Sequence, residues 1–244
     1  MKQVCFRRRA PAPEITGRDV KVAVVDSGIN THHSHVGHIA GGVALEYNGE
    51  GGVVWGDEYR DFLGHGTAIA AVIRAKAPGV NLHAVNVFGT RLRTHAAVLA
   101  AALHYCANNK IRVANLSLGT NAAASRDLLQ QACNYASERG VILVAAGNGV
   151  TEEIFPAHFD NVLGVAGDVR CGWEDYAYLP GHPIAFRAHP WPRPLPGRHP
   201  KENLYGDSFA AAHVSAWVAC IVEEHRALDA SEIRRILIEQ CSAQ

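Results

Sequence analysis

The sequence has no excess of either charge: 23 lysines and arginines meet 23 aspartates and glutamates in a chain of 244 residues. That balance creates no overall field that would draw the protein to nucleic acid, an anionic membrane or an acidic substrate. Nor is there a run of about 18 uncharged apolar residues, and "MKQVCFRRRAPAPEITG" carries charge with no apolar stretch of signal-peptide length behind it. The expectation is a soluble, cytoplasmic protein in which Arg7 to Arg9 form a solvated terminus. C-x-x-C spacing is also missing. Cys5, Cys106, Cys133, Cys171, Cys220 and Cys241 are scattered among apolar residues and read as free, mostly buried thiols. His32, His33, His35 and His38 crowd into "THHSHVGH", yet no accompanying ligand spacing makes this more than a polar loop after a strand. No metal and no cofactor are expected.

What is present is apolar and regularly punctuated. At 48% hydrophobic residues the chain supports one sizeable α/β core. Val20 to Val25, Val80 to Val87, Ile111 to Leu118 and Val141 to Ala146 are short β-branched runs, the pattern of buried strands. Between them, Thr94 to Asn109 places Leu99 and Leu103 on one helical face, and Ala122 to Arg139 is closed by Gly140. Strand and helix in alternation predict parallel strands with right-handed crossovers, helices on both faces, and chemistry at the carboxyl ends of the strands. Asp229 and Glu232 have capping-box spacing and open a last amphipathic helix. The segment 180–200 holds seven of the eleven prolines, which predicts an extended surface loop and excludes both regular helix and central strand.

Three segments suit serine acyl transfer, which needs a nucleophile, a base, an acid that orients the base, and donors for the oxyanion. "VAVVDSGI" ends a strand in Asp26. "GHGTAIAAVI" opens a helix at His65, and "GDSFAAAHVSA" opens another at Ser208, where unpaired N–H groups favour an oxyanion. "VAAGNG" ends a strand in Asn148, whose side-chain amide is a second donor. Each residue alone is equally at home in a turn.

Together, Asp26 in "DSG", His65 in "HGT", Asn148 in "AAGN" and Ser208 in "GDSFAAAHVS" resemble the subtilisin-like serine proteases, the subtilases, in order and in spacing. "KAPGVNLHAVNVFG", "NLSLGT" and "FPAHFDNVLGVAG" resemble that family's strands, and only 171–203 matches poorly. The resemblance implies a three-layer α/β fold with a mainly parallel sheet, spanning 20–244 after an extension at 1–19, with a proline-rich loop at 180–203. It implies a triad of Asp26, His65 and Ser208, an oxyanion hole at Asn148, and a peptide or protein substrate laid as an added strand on Ser117, Leu118 and Gly119. Ala145, Ala146 and Gly147 would wall the pocket for the residue before the cut, and "GVTEEIFP" would floor it, with Ile154 and Phe155 limiting its depth. Those small uncharged walls imply an apolar side chain there. The block "GDSF" also opens the GDSL-type esterases, but that family needs a later D-x-x-H pair, and Asp229 is followed by "ASE".

The chain departs from the subtilase pattern at Asp207, where threonine is usual, and at Ala212, where proline is usual. An acid at a helix amino terminus is expected to cap it by accepting a backbone N–H. With only nineteen residues before the first strand, no folding propeptide is expected, and the straight run from His65 to Pro78 leaves no room for the family's calcium-binding insertion. The functional expectation is a selective serine endopeptidase that trims a precursor peptide. A transpeptidase or macrocyclase using the same acyl-enzyme and an inactive peptide-binding subtilase are the alternatives. Trp191, Arg193 and Arg198 would give the proline-rich loop an aromatic and basic surface for gripping a peptide.

Overall fold

The computed structural model describes residues 5–7, 12–147, 153–197, 199 and 202–242. In chain order the elements are β1 (Cys5–Arg7), β2 (Lys21–Asp26), β3 (Gly41–Tyr47), β4 (Val53–Gly56), α1 (His65–Lys76), β5 (Asn81–Asn86), α2 (Ala96–Asn108) and β6 (Val113–Leu116). They continue with α3 (Arg126–Glu138), β7 (Ile142–Ala146), β8 (Val162–Gly167), β9 (Tyr176–Tyr178), β10 (Phe186–Ala188), α4 (Asp207–Glu224) and α5 (Ala230–Ser242). One sheet holds all the strands in the order β1-β9-β10-β8-β7-β6-β2-β5-β3-β4. From β10 to β3 every neighbouring pair is parallel, and antiparallel strands finish both edges.

The period-2 geometry of the strands divides the core in two. On β2, Val22 and Val24 pack with α1, α4 and α5, while Ala23 and Val25 pack with α2 and α3. Helices on both faces leave the inner strands dry, which is why they are continuous hydrophobic runs rather than alternating ones. The four strands read from sequence and both crossover helices stand where expected, to within a few residues at their ends. The capping box forms as well: Asp229 N–H donates to Glu232 Oε2 and Glu232 N–H to Asp229 Oδ1, each at 2.9 Å. Among the described residues, no helix is long and apolar enough to cross a membrane.

The proline-rich segment does not behave as expected. Phe186, Arg187 and Ala188 form an interior strand, parallel to β8 on one side and antiparallel to β9 on the other, and all three are buried. The prolines bracket this strand at Pro183 and Pro190 instead of interrupting it, so no ladder N–H is lost. Ile184 beside it is also buried, packed against Gly147 and Gly164, where an added Cβ would stand 2.8 Å from its side chain. The residues of this segment on either side of the strand, 180–185 and those after Ala188, are turns and irregular backbone among the described residues. At the chain start, Arg7 belongs to edge strand β1, while Arg8 and Arg9 lie outside the described residues.

Buried thiols account for Cys106, Cys133, Cys171, Cys220 and Cys241. Burial pushes the Cys106, Cys133 and Cys171 thiols up to about 12, so they remain protonated and unreactive at neutral pH.

Candidate active site

Asp26 is the last residue of central strand β2 and is fully buried. His65 is the first residue of α1, and its Nδ1 lies 2.9 Å from both Asp26 oxygens. A carboxylate only accepts, so the proton sits on Nδ1 and the Nε2 lone pair is left free. Burial lowers the imidazole pKa, but the hydrogen bond to Asp26 and the charges of Asp26 and Asp61 outweigh it, and the net shift is upward. Phe209 of α4 packs against the His65 ring, centroids 5.4 Å apart.

Asp61, which carries no sequence motif, holds this pair in place. Its carboxylate is buried and takes hydrogen bonds from Ser27 Oγ, the backbone N–H of Leu63, Gly64 and Thr67, and Thr67 Oγ1, at 2.6 to 2.9 Å. Ser27 Oγ in turn accepts from Gly66 N–H at 3.0 Å. One acid therefore ties the end of β2 to the first turn of α1 and complements the positive end of that helix. The only sequence signal was an acid four residues ahead of His65.

Ser208 opens α4 beside Asp207, and its Oγ donates to Ser117 O at 3.2 Å. Ser117 itself is fixed by a buried relay, Ser215 Oγ to Asn115 Oδ1 at 3.0 Å and Asn115 Nδ2 to Ser117 Oγ at 2.7 Å. The helix that Ser208 opens and the segment that follows β6 are thus registered to each other. His65, Ser208, Ser117, Leu118, Gly119 and Ile154 line one cavity of about 570 Å³. Ile154 sits against Gly119, where an added Cβ would be 2.5 Å from its Cγ2, whereas Phe155 is buried and bridged to Thr120. Ala145, Ala146 and Gly147 do not line this cavity; Ala145 and Ala146 end β7, paired with β6 and β8, and Gly147 follows them, its N–H donating to Val165 O at 2.8 Å. Arg93 does line it and brings a positive charge to the cavity mouth that no local pattern in the sequence marks. Asn148 lies outside the described residues.

Asp207 is not the cap of its own helix. Its Oδ1 accepts the Gly167 N–H at the end of β8, at 2.6 Å, and Gly206 at the cap position makes no side-chain hydrogen bond. Burial raises its pKa, opposed by the Gly167 N–H and by the buried guanidinium of Arg187. A tertiary donor forty residues away has displaced the local one, and Arg187 supplies the cation that offsets a negative charge beside Ser208.

These side chains and this topology can be set against known proteins. The model of the subtilase family matches residues 17–243. The chain belongs to the subtilase family. Subtilisin BL from Lederbergia lenta is 32% identical over 250 residues, covering 95% of this chain and 87% of that protein. Alkaline elastase YaB from Bacillus sp. (strain YaB) is 30% identical over 236 residues, covering 91% of this chain and 59% of its own length. A crystal structure of a lanthipeptide protease shares the fold with a TM-score of 0.72 at 22% identity, over 92% of this chain and 81% of that one. As a subtilase the protein is a serine endopeptidase with the three-layer subtilisin-like architecture.

Proposed function

We propose that Asp26, His65 and Ser208 are the catalytic triad of a selective processing protease that cuts a precursor peptide. The observation that carries this is the Asp26–His65 pair, with its free Nε2 on the same cavity as Ser208. Ser208 Oγ attacks the scissile carbonyl as His65 Nε2 takes its proton, and Asp26 stabilises the imidazolium that results. The proton passes to the leaving amine, which departs as the new amino terminus. Water then attacks the acyl-enzyme, again through His65, and releases the acid. The oxyanion is held by the Ser208 N–H at the start of α4 and, in this reading, by Asn148. A substrate strand that donates to Ser117 O takes away the resting partner of Ser208 Oγ and frees it to turn toward His65. The substrate lies on Ser117, Leu118 and Gly119, with an apolar side chain before the cut in a pocket that Ile154 keeps shallow. Selective processing rather than general digestion is supported by the shallow, specifically lined cavity beside His65 and Ser208, which Arg93 and Ile154 help to wall, and by the fold likeness to a lanthipeptide protease.

A fluorophosphonate probe tests the triad directly. It should label the wild-type protein at Ser208, located by peptide mapping, and leave Ser208→Ala and His65→Ala unlabelled; equal labelling of either variant would remove that residue from the mechanism.

The pH profile gives a second test. Because the base must be neutral and its folded-state pKa is raised, kcat/KM should fall on the acid side with a midpoint above the ordinary histidine value of 6.5. A midpoint below that value in a non-sticky substrate would contradict the control of His65 by Asp26.

A further inference from the structure

A second depression, of about 320 Å³, lies between the start of α1 and Pro192, Arg193, Leu195, Glu202, Asn203 and Leu204. Among the described residues it shares no lining residue with the first, but the two are joined through the chain. Leu63 and Gly64 line the second and His65 the first; Leu204 lines the second and Ser208 the first. The depression therefore adjoins both His65 and Ser208 on the side away from Ser117, Leu118 and Gly119 in the chain.

Its shape is set in advance. Pro192 and Pro194 restrict the backbone on both sides of Arg193, and the Arg193 carbonyl accepts Asn203 Nδ2 at 3.1 Å. Trp191 packs edge-on against Tyr205, centroids 4.9 Å apart, and its carbonyl meets His213 Nε2 at 3.2 Å. Trp191 is therefore part of the support and faces a different depression, with Trp173 and His189. Arg198 lies outside the described residues. A wall held this way loses little entropy when a ligand arrives.

The chemistry of the depression is apolar at its lips and basic at one side. Leu63 and Leu204 are 36% and 45% exposed although large and apolar. Arg193 is half-buried and makes no ion pair among the described residues. His33 and His35 line the same depression, their rings 5.1 Å apart edge to face, and burial followed by the charge of Arg193 lowers the His35 pKa, which leaves the guanidinium as the fixed positive charge on this side. Two acids line the site, and they differ. Asp61 is already saturated by its five donors, while Glu202 is exposed.

We infer that this depression binds the part of the substrate that follows the scissile bond, and that it selects an acidic side chain, held by Arg193, next to an apolar one laid against Leu63 and Leu204. The inference rests on the triad reading above. It gives the protease its selectivity on the leaving-group side, where a short chromogenic substrate makes no contact.

Internally quenched peptides test it, identical before the cut and carrying Glu, Gln or Lys at the second, third or fourth position after it. At one of these positions the wild-type enzyme should prefer Glu over Gln by about five- to tenfold in kcat/KM, as expected for a charge-assisted contact at a half-buried site, and Lys should be the poorest. Arg193→Ala should bring the Glu-to-Gln ratio to about one, and Arg193→Glu should favour Lys. Each ratio is taken within one enzyme preparation, so a folding defect cancels. A wild-type ratio near one at all three positions, as would follow if Glu202 already neutralises Arg193, overturns the inference, and so does a ratio that survives Arg193→Ala. A peptide nitroanilide, which has nothing but the dye after the cut, separates the two levels. Wild-type enzyme that hydrolyses it yet ignores Glu overturns the leaving-side site alone; neither hydrolysis nor fluorophosphonate labelling overturns the triad with it.

Discussion

Asp26→Asn should lower kcat/KM by about 10⁴-fold while the fold and melting temperature stay close to wild type. The reason lies in what surrounds the carboxylate. Asp26 Oδ1 accepts the Ser27 N–H at 2.7 Å, so an asparagine keeps its carbonyl oxygen there and places its NH₂ where Oδ2 stood. That NH₂ lies 2.9 Å from His65 Nδ1, as close as the remaining carbonyl oxygen that Ser27 N–H already uses, so it offers Nδ1 a donor and favours the tautomer with its lone pair there. The imidazole gives up its Nδ1 proton and carries it on Nε2, the atom that must receive the Ser208 proton. Without the negative charge, burial also dominates the ring's protonation and the acid limb of kcat/KM moves to lower pH. Steady-state kinetics on a peptide nitroanilide across pH 5 to 9 (roughly the range in which histidine bases titrate), corrected by active-site titration, reads both effects. Retention of more than about a tenth of wild-type activity at the optimum would show that the tautomer is not set by this pair.

Much of this was legible in the sequence, and the parts that were not share a cause. β2, β5, β6 and β7 are buried on both faces, so their hydrophobic runs announce them locally, and the helix openings at His65 and Ser208 are marked by glycines just before them. Asp229 and Glu232 are three residues apart and satisfy each other, so their capping box needs nothing from elsewhere. β10 is different: a three-residue strand between prolines acquires its structure from registration with Val165–Gly167 on one side and Tyr176–Tyr178 on the other. Local composition argued against it, and the sheet overrode composition. Asp207 failed in the same way, since its acid satisfies a distant N–H of β8 and not the helix it opens. Asp61, Asn115 and Ser215 could not be read at all, because each is an ordinary polar residue until the fold brings several donors or acceptors around it. A family pattern carries the proposed triad residues Asp26, His65 and Ser208, whereas nothing local marks the residues that hold Asp26 and His65 together.

That supporting layer leads to the second large effect: Gly66→Ala should cost about 10² in kcat/KM, although residue 66 touches no substrate. A Cβ at Gly66 would lie 2.2 Å from Gly28 O and 3.2 Å from both Cβ and Oδ1 of Asp26. Gly28 cannot retreat, because it has a φ of +93° and its own missing Cβ would stand 2.3 Å from Tyr59 O. The methyl therefore acts as a wedge between the end of β2 and the first turn of α1, the two segments that carry Asp26 and His65. It also strains the Gly66 N–H to Ser27 Oγ bond at 3.0 Å, through which Asp61 ties those segments. Overpacking of this kind costs about 1–3 kcal/mol of stability, and a displacement of roughly 1 Å between acid and base accounts for the rate loss. The stretched pair should hold the imidazolium less well, so the acid limb of the pH profile should shift downward together with the rate. That joint shift is what separates misalignment from a smaller folded fraction, which would lower the rate at every pH alike. Gly56→Ala on edge strand β4 serves as the comparison, since its new Cβ would meet only the Ala44 Cβ at 4.0 Å, and its kcat/KM should stay within about twofold of wild type. If Gly66→Ala keeps near-full activity with an unmoved pH limb, the contact between the end of β2 and the start of α1 does not set the alignment of the triad.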